Sequence, residues 1–450
     1  MQSGGYGEID DEALNAQDIA GPEDAPAFSI SRKDSDPLKE LLEHTQEITV
    51  TLDADSRVTR DCTTYNIVGT IPGKHPDRMV LLSAHYDSYF SGFQDDNTAI
   101  ALMFGIAKAL LASGFKPNNT IVICAMAAEE WGVVDSNFDW STGAYEQVFT
   151  AHPEWVGKVI ADLNFELPAL AHGTRARIRS CYEYTRFLEE YLSELPDLTQ
   201  AYPEETRVTS PIETWSDDFS MAIAGIPSMV NDFTGGSFME THYHSQFDND
   251  EYYNADVFRF HHELYGLLVM AFDRVKVAPV NVGRTLQALQ ESVRPVTGRE
   301  DEKSIRVLLE RTAEAKKIAD EVYRKVKEIN DVKNADAACC IHKGGQESHI
   351  EEKSEADGAD EAESATVQRG ENAADTEAND RNAALQKQLL YLFRKCQDYF
   401  VRLNWHDEVL FPHEAAQSNL RHICDAVRSL ENRDVQGALD ALYLVDNNQY

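Results

Sequence analysis

No stretch of this chain is long and apolar enough to span a bilayer as a helix. CxxC pairs are absent too, and the seven cysteines are an odd number without dense spacing. Cys339 and Cys340 are adjacent, a poor geometry for a structural bridge. A disulfide scaffold is therefore excluded, and free thiols suit a reducing compartment. Residues Met1 to Glu8 contain neither a basic region nor an apolar one. No signal peptide is visible, and the expected location is cytoplasmic. Positive charge is scarce: 41 Lys and Arg stand against 77 Asp and Glu, for a net charge of −36. That balance argues against nucleic acid and against an anionic membrane as partners. Much of the excess lies between Glu347 and Asp380, so it says little about the surface elsewhere.

What is present is 450 residues with a hydrophobic share of 42%, enough for a real core and for one large domain with attachments. Ala27–Ser31 and Glu47–Leu52 read as strands flanking a short helix at Asp34–Glu43. From Thr63 to about Asp273 strands and helices alternate. Buried strands are expected at Met79–Ser83, Thr120–Ala125, Lys158–Phe165 and Ile226–Val230, with helices at Asn97–Leu111 and Asp256–Lys276. This pattern gives an α/β fold, a three-layer αβα sandwich with a mixed, mostly parallel central sheet. A C-terminal helical region follows. Its expected spans are 279–332, helical; 333–383, an acidic disordered linker; and 384–450, helical again. These helices are the candidate surface for self-association.

Five residues fall in contexts that suit metal ligation: His85, Asp95, Glu130, Glu166 and His244. Each lies at a strand end or on a connecting loop, where ligands of open α/β sheets collect. Two imidazoles and three carboxylates suit a pair of zinc ions, with one carboxylate bridging. Each residue also has a plain structural reading. His85 could be a satisfied histidine at a strand end, with Asp87 placed to orient its ring. Asp95-Asp96-Asn97 opens a helix, where Asp and Asn are ordinary caps. Of the adjacent acids Glu129 and Glu130, one can ligate and the other can act as a general base. Asp162 competes with Glu166, and His242 with His244, with Asp248 a candidate partner nearby. Five compatible contexts together are harder to explain as chance.

The segments Ser83-Ala84-His85-Tyr86-Asp87-Ser88, Asp95-Asp96-Asn97-Thr98-Ala99, Ala128-Glu129-Glu130-Trp131-Gly132, Asn164-Phe165-Glu166, Ser216-Asp217-Asp218-Phe219-Ser220, Gly225-Ile226-Pro227 and Tyr243-His244-Ser245 resemble the co-catalytic di-zinc aminopeptidase family. That family is typified by bacterial leucyl aminopeptidase and extends to glutamate carboxypeptidase II. The resemblance covers roughly residues 60 to 278, which it implies are a di-zinc peptidase domain. It implies two Zn2+ ions, with Asp95 bridging, His85 and Glu166 on one ion, and Glu130 and His244 on the other. Glu129 would be the general base, Asp87 would orient His85, and the Asp95–Asp96 peptide would be cis. The implied activity is that of a zinc-dependent exopeptidase on peptide substrates, an aminopeptidase using a metal-bridging water. A carboxypeptidase, a deacylase or a non-catalytic binding relative are the alternatives. Residues 1–59 are expected to be partly disordered, and 26–52 resemble the end of a protease-associated domain. Two features depart from the family: Glu166 stands where many members have Asp, and Gln94 stands where a Gly often precedes the Asp pair. Tyr182, Tyr184, Trp215, Asp217 and Phe233 are candidates for specificity by position.

Overall fold

A computed structural model describes residues 62–131, 141–213, 216–297, 303–331 and 373–401, with shorter stretches within 12–14, 30–55 and 426–439. Seven strands form one sheet: β1 (Ile67–Ile71), β2 (His75–His85), β3 (Asn119–Met126), β4 (Val159–Asn164), β5 (Arg177–Ser180), β6 (Arg207–Thr209) and β7 (Ser228–Asn231). Their order is β1-β3-β2-β4-β7-β5-β6. The central run β3-β2-β4-β7 is parallel, while β1 and β5 are antiparallel to their inner neighbours and β6 is parallel to β5. The sheet is thus mixed and mostly parallel. Every residue of β3 and β4 is buried, as apolar runs covered on both faces require.

Ten α-helices accompany the sheet among the described residues: α1 (Arg32–His44), α2 (Thr98–Ala112), α3 (Thr142–Glu146), α4 (Thr185–Ser193), α5 (Asp218–Ala224), α6 (Phe238–Thr241), α7 (Ala255–Arg274), α8 (Val282–Thr297), α9 (Lys303–Asp331) and α10 (Ala373–Val401). Alternate residues of β2 enter different cores. Val80, Leu82 and Ala84 pack with α2 and α7, whereas Leu81 packs with Ala144 of α3, Trp155 and Met221 of α5. Those two cores make the three layers. No helix among the described residues is long and apolar enough to cross a membrane. Cys124, Cys181 and Cys396 are free thiols.

Several expectations change. Ser31 caps α1, its hydroxyl accepting from the Asp34 amide at 3.1 Å, and so ends no strand; residues 27–29 lie outside the described residues. The described residues of 47–52 are not strand either, for they have no neighbour to pair with in the sheet. Helix α10 begins at Ala373, inside the span expected to be linker, where alanines, the best helix formers, recur. Residues 333–372 and most of 402–450 lie outside the described residues. The C-terminal helices also direct apolar side chains inward. Val326 of α9 and Leu389, Leu390 and Phe393 of α10 are 1, 4, 2 and 0% exposed and belong to the main core. Asn330 accepts from the amides of Lys276 and Val277, fastening α9 to the end of α7.

Candidate metal centre

Four strand ends converge on one edge of the sheet. His85 is the last residue of β2; Glu129 and Glu130 follow β3; Glu166 follows β4; Asn231 ends β7. The helix after β2 is preceded by a wide turn, Phe93–Asn97, in which Asp95 and Asp96 depart from helical angles. The peptide between them is cis. Gly92 makes that turn possible. It has φ +45°, and a Cβ there would lie 2.1 Å from the Ser88 Cβ. A glycine is therefore present, two residues before Gln94. Asp96 and Asn97 do not cap α2 with their side chains. Asn97 donates to the Gly92 carbonyl at 2.7 Å, and Asp96 Oδ1 accepts from the Leu167 amide at 3.1 Å.

Asp95 lies between two histidines. Its Oδ1 is 3.3 Å from His85 Nε2, and its Oδ2 is 3.1 Å from His244 Nε2. His85 Nε2 also lies 3.6 Å from Glu166 Oε2 and 3.9 Å from both Asp96 Oδ2 and Glu129 Oε2. His244 Nε2 lies 3.1 Å from Glu130 Oε2. Two ligand groups meet at Asp95, His85–Asp95–Asp96–Glu166 and Asp95–Glu130–His244, and a third, His85–Glu129–Glu130, shares a residue with each; in every group the donor atoms lie within 4.8 Å of one another. All five sequence candidates are in these groups, and Asp95 is in the first two. The competitors are elsewhere. Asp162 accepts from the Ser83 hydroxyl at 2.7 Å within the sheet, and His242 contacts the Thr241 hydroxyl and stacks on Phe238.

The donors point at one another without bonding well. Asp95 Oδ2, Asp96 Oδ2, Glu130 Oε1 and Oε2, Glu166 Oε1 and His244 Nε2 are buried and lack hydrogen bonds of good geometry. Orphaned polar atoms at this density are costly, and a cation at their focus removes the cost. Oxygen and imidazole donors of this kind suit zinc. The charge balance agrees. Burial lowers the His85 and His244 pKa values, but the carboxylates outweigh it. Asp96, Glu129 and Glu166 hold His85 well above its usual range, and Glu130 and Asp95 push His244 up to about 10. Burial raises Asp96, Glu129 and Glu166, and takes Glu130 to about 7. For Asp95 burial is outweighed by the two imidazoles, which hold it below the usual carboxylate range.

Surrounding groups fix each donor. His85 Nδ1 bonds the main-chain carbonyl of Asp87 at 3.0 Å, with the Asp87 carboxylate 3.6 Å away. That carboxylate accepts instead from the amides of Glu129 and Glu130, both at 3.1 Å, so it orients the acid pair as much as the ring. Asp248 takes the amides of Gln94 and Asp95 at 2.8 and 3.0 Å, holding Asp95 and not His244. Asn231 clamps the Glu166 main chain from both sides. Tyr243 stacks on His244, and Tyr89 meets it edge-on at 4.8 Å while donating to the Glu130 carbonyl. Ala128, Leu167 and His244 have φ of 57, 46 and 54°. Left-handed angles in non-glycine residues cost on the order of 1 kcal/mol each, and here they flank or carry ligands. Asn231, Tyr89 and Asp96 as a donor went unforeseen, since Asn at a strand end and Asp at a helix start have common local roles. Of the specificity candidates, Tyr184 is a core residue, bonded to the Ile160 carbonyl and packed on Phe272. Phe233 is buried with Leu167, Val230 and Phe238, Tyr182 is half-buried, Asp217 is fully buried, and Trp215 lies outside the described residues.

Residues 66–268 match the model of Peptidase family M28. The match covers 203 of the 450 residues and marks that segment as similar to the family. Among curated relatives, a probable glutamate carboxypeptidase VP8 of Zea mays is 28% identical over 254 residues, covering 52% of this chain and 34% of the maize protein. A probable leucine aminopeptidase 2 of Aspergillus fumigatus is 34% identical over 116 residues, covering 25% of this chain and 22% of the relative. The chain thus spans about a third or less of the length of these relatives. Among solved structures, a zinc aminopeptidase from Bacillus subtilis aligns at 20% identity and a TM-score of 0.37, over 45% of this chain and 49% of that one. A Peptidase M28 precursor from Shewanella amazonensis aligns at 21% identity and a TM-score of 0.46, over 58 and 57%.

Proposed function

We propose that this M28 domain is a two-zinc aminopeptidase that releases N-terminal residues from peptides. The observation that carries the reading is Asp95, whose two carboxylate oxygens face different imidazoles at 3.3 and 3.1 Å. His85, Asp95 and Glu166 would hold one ion, with Asp96 beside them, and Asp95, Glu130 and His244 the other. Divalent cations bound there supply Lewis acidity to the scissile carbonyl and acidify the attacking water. Glu129 is the general base. Its carboxylate is buried within 3.9 Å of His85 Nε2, and its Oε1 accepts from the Ser141 hydroxyl at 3.3 Å. Glu129 takes the proton of the attacking water and returns it to the leaving nitrogen as the C–N bond breaks. Asp87 fixes the turn that aims it.

Charge favours an amine as the substrate group bound beside the centre. The strongest charges acting on Asp87, Asp95, Asp96, Glu129, Glu130, Glu166 and Asp217 are one another and the two imidazoles. Two divalent cations bring four positive charges against the six carboxylates of Asp87, Asp95, Asp96, Glu129, Glu130 and Glu166. The remaining negative field attracts a terminal ammonium and repels a terminal carboxylate. The maize relative's name supports a carboxypeptidase as the second reading. Aminoacyl-p-nitroanilides, their N-acetylated forms and N-blocked dipeptides separate the two. Cleavage of the free-amine substrates alone, lost with chelator and restored by zinc, is the expected result. Cleavage only of N-blocked dipeptides would replace the aminopeptidase with a carboxypeptidase.

A further inference from the structure

His172 belongs to neither ligand group, yet it is 3% exposed and sits beside the loop that carries Glu166. Its Nε2 lies 3.1 Å from the Leu167 carbonyl and its Nδ1 3.2 Å from the Gly235 carbonyl. The ring therefore spans two segments: the strap 167–172 after β4, and the loop after β7. Leu167 follows Glu166 directly, has φ of 46°, and donates its amide to Asp96 Oδ1 at 3.1 Å. The two segments touch backbone to backbone. A Cβ on Gly235 would lie 2.9 Å from the His172 carbonyl oxygen and 2.8 Å from an Arg177 nitrogen. Glycine is the residue that fits so close an approach.

We propose that His172 is a positioning residue for the Glu166 side of the metal centre, clipping the strap to the loop after β7. The inference rests on the two-metal reading. A neutral imidazole has one N–H and faces two carbonyls, so it donates to one of them. Burial keeps it neutral by lowering its pKa, against the pull of the two carbonyls and Asp232, and Arg177 acts in the same direction as burial. From α7, His261 also faces this strap, its Nδ1 2.6 Å from the Pro168 carbonyl. Loosening the clip frees Leu167, and with it the angle at which Glu166 meets His85 and Asp95. The group Asp95–Glu130–His244 draws on other loops and is left intact.

Metal-free protein titrated with Zn2+ alone tests this, with wild type, His172→Ala, His172→Gln and Gly235→Ala compared by calorimetry and circular dichroism. Wild type is expected to take two equivalents. His172→Ala should weaken one of them about tenfold and leave the other within about twofold. His172→Gln, which keeps a donor, should recover most of the loss, and Gly235→Ala should repeat it by wedging the segments apart. Equal weakening of both equivalents, or of neither, in variants with native secondary structure overturns the proposal. Should His172→Ala fail to fold, the Gln and Gly235 variants decide in the same way. Wild type that binds a single equivalent would instead refute the two-metal reading itself.

Discussion

Asp95 and Glu129 have different tasks, and their substitutions should separate. Asp95 contributes to both ligand groups, so Asp95→Ala should weaken both zinc equivalents and lower kcat/KM at least about 100-fold. Equilibrium dialysis alongside kinetics checks this; retention of one tight equivalent would show that the carboxylate does not bridge. Glu129→Gln keeps the shape of the side chain and removes the base. It should retain both ions while kcat drops about 10²- to 10⁴-fold with little change in KM. Loss of metal on that substitution would make Glu129 a ligand. At this scale the sequence was informative because each donor follows an apolar strand or lies in a short polar tract. It was silent on Asp96, whose carboxylate takes the Leu167 amide instead of capping α2, and spacing alone could not rank His244 above His242.

The connecting elements show why only part of the fold was legible. Strands β2, β3 and β4 contain apolar runs, and α2 and α7 are long enough to show their period. Strand β5 reads Arg-Ile-Arg-Ser and β6 has three residues, so neither carries a period or an apolar run. Strand β5 pairs because β7 offers it an edge, and β6 pairs in turn with β5. Helix α7 also braces the strap beyond Glu166 through His261, which donates to the Pro168 carbonyl and faces the Tyr202 hydroxyl at 3.3 Å. Burial lowers the His261 pKa from 6.5 to about 4. The unfolded chain then binds a proton that the folded one refuses. Stability from this residue is complete above pH 6.5 and falls as pH drops towards 4, by up to about 3 kcal/mol. Urea unfolding across that range should show the loss, and His261→Gln should flatten it. An unchanged slope would mean that His261 titrates normally.

The whole molecule is larger than the segment similar to Peptidase family M28, and the question is whether the C-terminal helices are cargo or structure. Phe393, Leu390, Leu389 and Val326 are buried in the same core as Leu82 and Phe272. Gly225, at the end of α5, approaches α10 so closely that a Cβ would lie 2.8 Å from the Arg394 Cβ. Helix α5 begins at Asp218, next to Asp217, whose carboxyl feels His85 and Glu166. Helix α10 therefore supports an element directly under the centre. Phe393→Ala leaves a cavity in a fully buried position and should cost about 3–5 kcal/mol. A chain ending near residue 280 loses all of these contacts, uncovers the apolar surface that α9 and α10 now cover, and should unfold or aggregate. Thermal unfolding of both variants measures the cost directly. A truncated protein with native stability and full activity would show instead that these helices are a separable module, and the place to seek their partner would then be the face they now bury.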